Sequence, residues 1–230
     1  MTRVADAPSE PRTVGRDPWP WVGFVSALAF LTLAMLVARN GGLSFDGPLA
    51  TAVKSLPIPV GVWEAITALG GVILIPISIV FVLAALTTRR FRLALVVAFV
   101  LLGATLFTDI VKDQIARPRP VDPLVEAAGY SFPSGHSLNS AATYGLIALV
   151  VWRSELPLVV RRIAVILGVT LPFLIGLSRI ALGVHYPSDV IGGWLAGIAF
   201  VALAATLIRM TGAMARDLPG RVGGSSLSDP

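Results

Sequence analysis

The sequence predicts an all-α membrane protein, with six transmembrane helices packed in a bundle and both termini in the cytoplasm. Of the 230 residues, 55% are hydrophobic and 13% are charged, and the mean hydropathy is +0.82. In soluble domains about a quarter of the residues are charged. Six apolar stretches approach the length of about 20 residues that a helix needs to cross a bilayer. These predicted spans cover residues 20–38, 66–86, 92–111, 135–152, 161–179 and 188–209.

The regions outside the spans divide the chain into one membrane domain and two tails. The first span is too long for the apolar core of a signal peptide and has no small-residue cleavage site behind it, so we predict a retained helix. Residues 1–17 and 211–230 are polar and rich in Pro, Gly or Ser, which is typical of disordered segments. The membrane domain then covers residues 18–210. Between residues 40 and 65 we expect a loop with a short helix near 48–56.

The basic residues predict the orientation in the membrane. The chain has 16 Arg and 2 Lys and a formal net charge of +5. Lys and Arg are enriched in the cytoplasmic loops of membrane proteins. With the N-terminus in the cytoplasm, twelve basic residues lie on the cytoplasmic side and six on the other. This distribution favours contact with membrane lipids over nucleic acid, and it places both histidines in extracytoplasmic loops. The six extracytoplasmic cations are Arg39, Lys54, Lys112, Arg117, Arg119 and Arg179.

The residue types also exclude several chemistries. The chain has no cysteine, which excludes disulfides, thiolate nucleophiles and zinc–thiolate sites. Its two histidines argue against a histidine-rich metal cluster.

The segment KDQIARPRP, residues 112–120, follows the third predicted span and contains Lys112, Arg117 and Arg119. One interpretation is a solvated basic loop at the level of the lipid headgroups. Because cations are disfavoured on this face, a phosphate ligand is the alternative that explains them: Arg offers a planar fork of donors and Lys a compact charge. We interpret Arg117 as a solvated residue, with contact to a second phosphate or to headgroups as its alternative.

The segment PSGH, residues 133–136, begins the fourth predicted span. Ser134 is a good N-cap, and Gly135 lets a ligand approach the backbone closely. The free N–H groups of a helix N-terminus suit a phosphate, which would lie beside His136. Taken alone, this short motif favours an ordinary helix cap with an interfacial histidine.

The segment SRIALGVHYPSD, residues 178–189, connects the fifth and sixth predicted spans. Arg179 ends one span, and Pro187 fits the first turn of the next. Asp189 then lies in that turn, where it can reach back to His185, fix the tautomer of the ring and raise its basicity. The alternative is a surface His–Asp pair that caps a helix. The three segments together predict a phosphate site, since three independent structural explanations would otherwise have to coincide on one membrane face.

These segments together resemble the three-part signature of the type 2 phosphatidic acid phosphatase superfamily, the membrane lipid phosphate phosphatases, which include undecaprenyl-diphosphate phosphatases. The resemblance covers about residues 60–208 and is complete at every signature position. The matching residues are Lys112 with Arg119-Pro120, Pro133-Ser134-Gly135-His136, and Ser178-Arg179 with His185 and Asp189.

The resemblance implies a mechanism that requires no metal, and we expect no other cofactor. In this reading His185 attacks phosphorus and becomes phosphohistidine, Asp189 orients and activates it, and His136 protonates the leaving oxygen and then helps water attack. Because the two histidines need opposite protonation states, we predict a bell-shaped pH profile. The residues that the resemblance assigns to phosphate binding are Lys112, Arg119, Ser134, Gly135 and Arg179.

The expected function is hydrolysis of a lipid phosphate or diphosphate at the outer membrane face, by an enzyme of the cell membrane. Undecaprenyl diphosphate is the first choice of substrate, and phosphatidylglycerophosphate, phosphatidate and diacylglycerol diphosphate are alternatives. A lipid-phosphate binding or transport protein without turnover is the alternative of another class. We also expect Asp109 to pair with Lys112, whereas Asn139 and Ser140 either line the cavity or bond between helices.

Overall fold

The computed structural model describes residues 17–214, and within this range the chain forms eight α-helices. The predicted all-α class is confirmed. The predicted disordered tails, residues 1–17 and 211–230, lie almost wholly outside the described residues. The helices are α1 (Trp19–Asn40), α2 (Asp46–Lys54), α3 (Val60–Ala68), α4 (Leu74–Thr87), α5 (Phe91–Ile115), α6 (Gly135–Trp152), α7 (Leu158–Ala181) and α8 (Pro187–Thr211).

Four helices of the described range, α1, α5, α7 and α8, are long and apolar enough to cross a membrane. Helix α4 is apolar but has 14 residues, so it is about 21 Å long at 1.5 Å per residue, shorter than the ~30 Å hydrocarbon core. Helix α6 has 18 residues, and its first turns carry polar side chains. The structure supports a multi-pass membrane fold, while the six-span arrangement and the orientation of the termini stay predictions.

The predicted second span, residues 66–86, is divided into α3 and α4 by a turn at Gly70 and Gly71. A Cβ atom on Gly70 would lie 2.4 Å from the Ile175 Cγ2 atom, and one on Gly71 would lie 2.8 Å from the His136 Nε2 atom. Both distances are too short for a side chain. The two glycines therefore allow the turn to pack closely against α7 and α6, which a continuous helix with larger residues would not.

Helix α8 packs against α1, α5, α6 and α7. Its glycines allow α6 to approach closely: a Cβ on Gly193 would lie 2.7 Å from the Ser134 carbonyl oxygen, and one on Gly197 would lie 2.6 Å from the Ala141 Cβ. The outer faces of other helices stay apolar and exposed, as on α7, where Val159 and Val169 are each 66% exposed. Such a surface suits contact with lipid tails.

Helices α1, α5 and α7 end, and α6 and α8 begin, at one end of the bundle, where Arg117 after α5 bonds to Gly41 after α1, and Ser134 before α6 bonds to Asp189 of α8. We call this end, with α2, α3 and the loop of residues 116–134, the site end. All three signature segments and both histidines lie there.

Candidate active site

His185 and Asp189 form a buried pair at the start of α8. The His185 Nδ1 atom is 3.4 Å from Asp189 Oδ2, and the two side chains are 2% and 0% exposed. Pro187 is in the first turn of the helix, as expected. The Tyr186 backbone N–H donates to the same Asp189 oxygen at 2.8 Å. The expectation that Asp189 reaches back to His185 is therefore confirmed as geometry.

The surroundings of His185 determine which ring nitrogen carries the proton. Arg119 Nη1 lies 3.2 Å from His185 Nε2. A guanidinium group can only donate, so Nε2 is the acceptor and Nδ1 carries the proton that points to Asp189. Burial lowers the pKa of His185 to about 4, although the hydrogen bond and charge of Asp189 oppose this shift. At neutral pH the ring is an uncharged imidazole with a lone pair on Nε2, the form that acts as a nucleophile.

Arg119 is held by neutral acceptors. Its Nη1 donates to the Val184 carbonyl at 2.8 Å, its Nε to the Gly129 carbonyl at 3.0 Å and its Nη2 to the Ala128 carbonyl at 2.7 Å. Among residues 17–214 no carboxylate lies within 4.0 Å of its guanidinium nitrogens. Within the described range its charge is therefore not neutralised by a direct ion pair.

Like Arg119, Arg179 and Lys112 form no ion pair with a carboxylate of the described residues. Arg179 is 6% exposed, and its Nη1 donates to Thr67 Oγ1 at 2.8 Å. Its buried Nε atom has no hydrogen-bond partner within the described part of the chain. Neither cation has a carboxylate within 4.0 Å among these residues. Three cations that lie together, with no ion-paired carboxylate among the described residues, form a site that favours an anion.

The start of α6 joins two of the signature segments. Ser134 is the N-cap, as predicted, and its Oγ accepts from the Ser137 N–H at 3.4 Å. Its own N–H donates to the Asp189 carbonyl at 3.0 Å. A Cβ on Gly135 would lie 3.9 Å from Lys112 Nζ, so the first turn of α6 is beside that ammonium group.

His136 lies on the wall of a cavity beside these cations. The positive charges of Arg179, Lys112 and Arg119 all act on its ring. The cavity has a volume of about 540 Å3 and lies between α4, α5 and α6. It combines polar groups with apolar walls, which suits a ligand with a charged head and an apolar body. Its apolar lining includes Leu74, Ile75, Ile79, Leu101 and Leu102.

The lesser candidates of the sequence have different positions. Asn139 lines this cavity, and Ser140 Oγ donates to the Ser137 carbonyl within α6 at 3.2 Å. Asp109 is exposed and its charge acts on Lys112, but their polar atoms form no ion pair within 4.0 Å in the described range. The predicted Asp109–Lys112 contact is therefore an electrostatic influence without a direct bond.

The interpretation of Arg117 as a solvated residue is wrong. Arg117 is 3% exposed, and its guanidinium group binds Asp46 at 2.8 Å and Asp189 at 2.5 Å. Ala116, with a φ of 50°, ends α5 in a left-handed turn, after which the side chain of Arg117 lies in the interior. Asp46 was missed altogether. The two residues are 71 positions apart, and no local pattern indicates their contact.

Residues 17–214 contain no group of three or more His, Asp or Glu side chains that could hold a metal ion. The polar groups around His185 are instead cations, a helix N-terminus and one carboxylate. Their chemistry fits a phosphate group.

The chain is similar to proteins of one family. The PAP2 superfamily model matches residues 93–212. Phosphatidylglycerophosphatase B of Bacillus subtilis (strain 168) is 32% identical over 177 residues, which are 74% of this chain and 87% of that protein. Undecaprenyl-diphosphatase of Sulfolobus acidocaldarius is 34% identical over 134 residues, 54% of this chain and 58% of that protein. The crystal structure of a transmembrane PAP2 type phosphatidylglycerolphosphate phosphatase from Bacillus subtilis matches with a TM-score of 0.75 at 30% identity, covering 83% of this chain and 97% of that one.

Proposed function

Because this chain belongs to the PAP2 superfamily and is a membrane lipid phosphate phosphatase, we propose that it acts at the outer membrane face through a phosphohistidine on His185. The observation that carries the proposal is the surroundings of this ring. A neutral imidazole, oriented by Asp189, has its free nitrogen beside Arg119, and the site's cations have no carboxylate partners among residues 17–214.

The proposed reaction has two steps. In the first, the His185 Nε2 lone pair forms a bond to phosphorus while the bond to the lipid oxygen breaks, and His136 gives this leaving oxygen a proton. Asp189 stabilises the positive charge that develops on the His185 ring. In the second step, water attacks phosphorus, His136 takes a proton from this water, and the P–N bond breaks. Inorganic phosphate leaves and both histidines return to their starting states.

The cations supply the main stabilisation in both steps. Phosphoryl transfer depends chiefly on positioning and on compensation of the charge on the equatorial oxygens. Fixed donors in a site that excludes water perform this function well. We assign it to Lys112, Arg119 and Arg179, with Ser134 and the Gly135 N–H at the positive end of α6.

The placement of charge supports an outward-facing site. Of the six basic residues at the site end, Lys112, Arg119 and Arg179 belong to the phosphate site, and Arg117 is engaged in buried ion pairs. Arg39 and Lys54 are then the remaining cations of this end in the described range. The opposite end has Arg89 and Arg90 in the turn between α4 and α5, and Arg161 and Arg162 at the start of α7. The positive-inside rule assigns an end with this many arginines to the cytoplasm.

This orientation has a direct test, because the chain has no native cysteine. Val121, in the loop of the site end, is 81% exposed, and Leu156, in the turn between α6 and α7, is 47% exposed. We expect a membrane-impermeant maleimide to label V121C in intact cells and L156C only after lysis. The reverse pattern would contradict the outward site.

The substrate we favour is phosphatidylglycerophosphate, with undecaprenyl diphosphate second. The sequence alone put undecaprenyl diphosphate first. The similarity to the phosphatidylglycerophosphatase extends over 87% of that protein, and that to the undecaprenyl-diphosphatase over 58%, which supports the changed order. The apolar cavity beside Lys112 and His136 supports a lipid-linked phosphate in either case.

A panel of detergent-solubilised lipid phosphates tests the function. It should include phosphatidylglycerophosphate, undecaprenyl diphosphate, phosphatidate and diacylglycerol diphosphate, with release of inorganic phosphate as the readout. We expect the largest kcat/KM for phosphatidylglycerophosphate. Release from none of them, by protein shown to be folded, would favour the binding or transport protein instead.

A further inference from the structure

Arg117 lies on the side of Asp189 opposite the phosphate site, and four of its five N–H donors are used within the protein. Its Nη1 donates to Asp189 Oδ1 at 2.5 Å and to Ser188 Oγ at 2.8 Å. Its Nη2 donates to Asp46 Oδ2 at 2.8 Å, and its Nε to the Gly41 carbonyl at 3.0 Å. The guanidinium carbon lies 4.0 Å from the centre of the Tyr186 ring. Arg117 is therefore oriented away from any substrate.

Asp46 fixes this arrangement from the first turn of α2. The side chain is 6% exposed. Its Oδ1 accepts from the Ser188 N–H at 2.8 Å, and its Oδ2 accepts from the Ser188 hydroxyl at 2.8 Å and from the Leu43 N–H at 3.0 Å. Burial opposes ionisation, but the bonds from Leu43, Arg117 and Ser188 keep the pKa of Asp46 below its ordinary value. Asp46 is therefore a carboxylate with its acceptor sites in use.

The charges of this group have a consequence for His185. An isolated Arg117–Asp189 pair would be neutral, and its effect on a charge developing on the ring would be weak. Asp46 adds a second carboxylate, so that Asp46, Arg117 and Asp189 together carry one net negative charge. The cation holds Asp189 in place, while the second carboxylate restores the negative charge beside the imidazole.

We propose that Asp46 is a positioning residue, which acts through Arg117 and Ser188 to hold Asp189, and through Asp189 to keep His185 in its Nδ1–H form. The inference rests on the proposed function for its kinetic consequence, but its effect on the ring can be measured without turnover. Asp46 lies outside residues 93–212, the part that matches the family model.

The test compares Asp46→Asn with the matched control Asp113→Asn, in which an exposed carboxylate at the end of α5 undergoes the same change. We expect Asp46→Asn to lower kcat about 10–100-fold, the usual effect of losing a partner that orients a catalytic group. KM and the inhibition constant of inorganic phosphate should stay within about threefold of the unmodified protein, because the phosphate ligands are unchanged. The control should keep kcat within about twofold.

A second readout uses the fact that the chain has two histidines. In protein labelled with 15N-histidine, NMR reports the tautomer of each ring, and His136→Gln assigns the two sets of signals. We expect the Nδ1–H signature of His185 in the unmodified protein and a mixture of tautomers in Asp46→Asn. The charged or titratable groups that face His185 are Asp189 of α8, Arg119 of the loop, Arg179 of α7 and His136 of α6. Asp46→Asn changes none of these residues, so a change of tautomer reports a shift of Asp189 from its place beside Nδ1.

The two readouts separate the two proposals. Unmodified protein that is inactive on the whole panel, with a His185 tautomer that still depends on Asp46, would overturn the function and leave the positioning role intact. Active protein in which Asp46→Asn lowers only the melting temperature, with kcat and tautomer unchanged, would overturn the positioning role. If Asp46→Asn does not fold, Ser188→Ala removes the hydroxyl bridge alone, and we expect a smaller loss of kcat, about 3–10-fold, with unchanged KM. A kcat equal to that of the unmodified protein would overturn the inference there too.

Discussion

Arg117 and Arg119 are two residues apart in one loop, but their guanidinium groups have opposite surroundings. Arg117 binds two carboxylates and a serine on the α2 side of Asp189. Arg119 binds three carbonyls and a neutral histidine on the other side, and none of the described carboxylates forms an ion pair with it. We call these regions the support side and the phosphate side.

The difference indicates what each cation does. Pairing with carboxylates uses the charge of Arg117 inside the protein, where it orients other groups. Neutral acceptors fix Arg119 without cancelling its charge, which stays available to an anion. The surroundings of an arginine, rather than its position in a motif, therefore distinguish an anion ligand from a support.

The largest effect on kcat should follow from removing the His185 imidazole, which lies between the support side and the phosphate side. We expect His185→Ala to lower kcat by more than about 10^4-fold, as loss of a nucleophile does, because no phosphoenzyme can form. The phosphate side is unchanged, so inorganic phosphate should still bind. Phosphate release and equilibrium binding of inorganic phosphate check the two statements, and appreciable turnover in this variant would refute the assignment of the nucleophile.

Truncation of each arginine tests the comparison itself. We expect Arg119→Ala to lower kcat/KM about 10^2–10^3-fold with a small change in melting temperature. Arg117→Ala leaves two buried carboxylates without their cation and should cost about 3–5 kcal/mol of stability. Arg39→Ala, at an exposed cation of the same end, is the control for both. Thermal unfolding with assays on the same samples checks the contrast, which fails if Arg119→Ala is the less stable protein.

Much of the fold follows from the sequence because its signals are local. Long apolar runs predict α1, α5, α7 and α8, and Ser134 and Pro187 predict where α6 and α8 begin. The divided second span could not be predicted in this way. The turn at Gly70 and Gly71 depends on close contacts with α7 and α6, and its cause lies outside the segment itself.

The candidate site likewise combines a local contact that the sequence predicts with distant contacts that it does not. The His185–Asp189 pair is four residues apart on a predicted helix start, so its contact could be predicted. The support side is assembled from distant segments: Asp46 is 71 residues from Arg117 and 142 from Ser188. Sequence spacing showed two arginines in one loop, but only the chain path after Ala116 determines which of them is buried.

The turn between α3 and α4 offers a smaller test of the phosphate side. A Cβ on Gly71 would lie 2.8 Å from His136 Nε2, so Gly71→Ala must displace either the turn or the ring. We expect kcat to fall about tenfold, because a displaced general acid transfers its proton less effectively. Gly61→Ala on α3, where a Cβ meets nothing within 4 Å, should leave kcat unchanged. Equal kinetics in both variants would contradict the proposed placement of His136.

The smallest effect at ordinary pH concerns the protonation of His185. Since burial lowers its pKa to about 4, the ring is still about nine-tenths neutral at pH 5, and the acidic limb of kcat/KM should lie near pH 4.

The lowered pKa of His185 also means that the folded state binds a proton on this ring less readily than the unfolded state. The free energy of unfolding should therefore decrease as the pH falls from about 6.5 to 4, by up to about 1.4 kcal/mol per pH unit from this group. His185→Gln should lack this part of the slope, so melting curves of the two proteins between pH 4.5 and 7 isolate it. Parallel slopes, or an activity profile that is flat between pH 4 and 9, would contradict a buried neutral nucleophile.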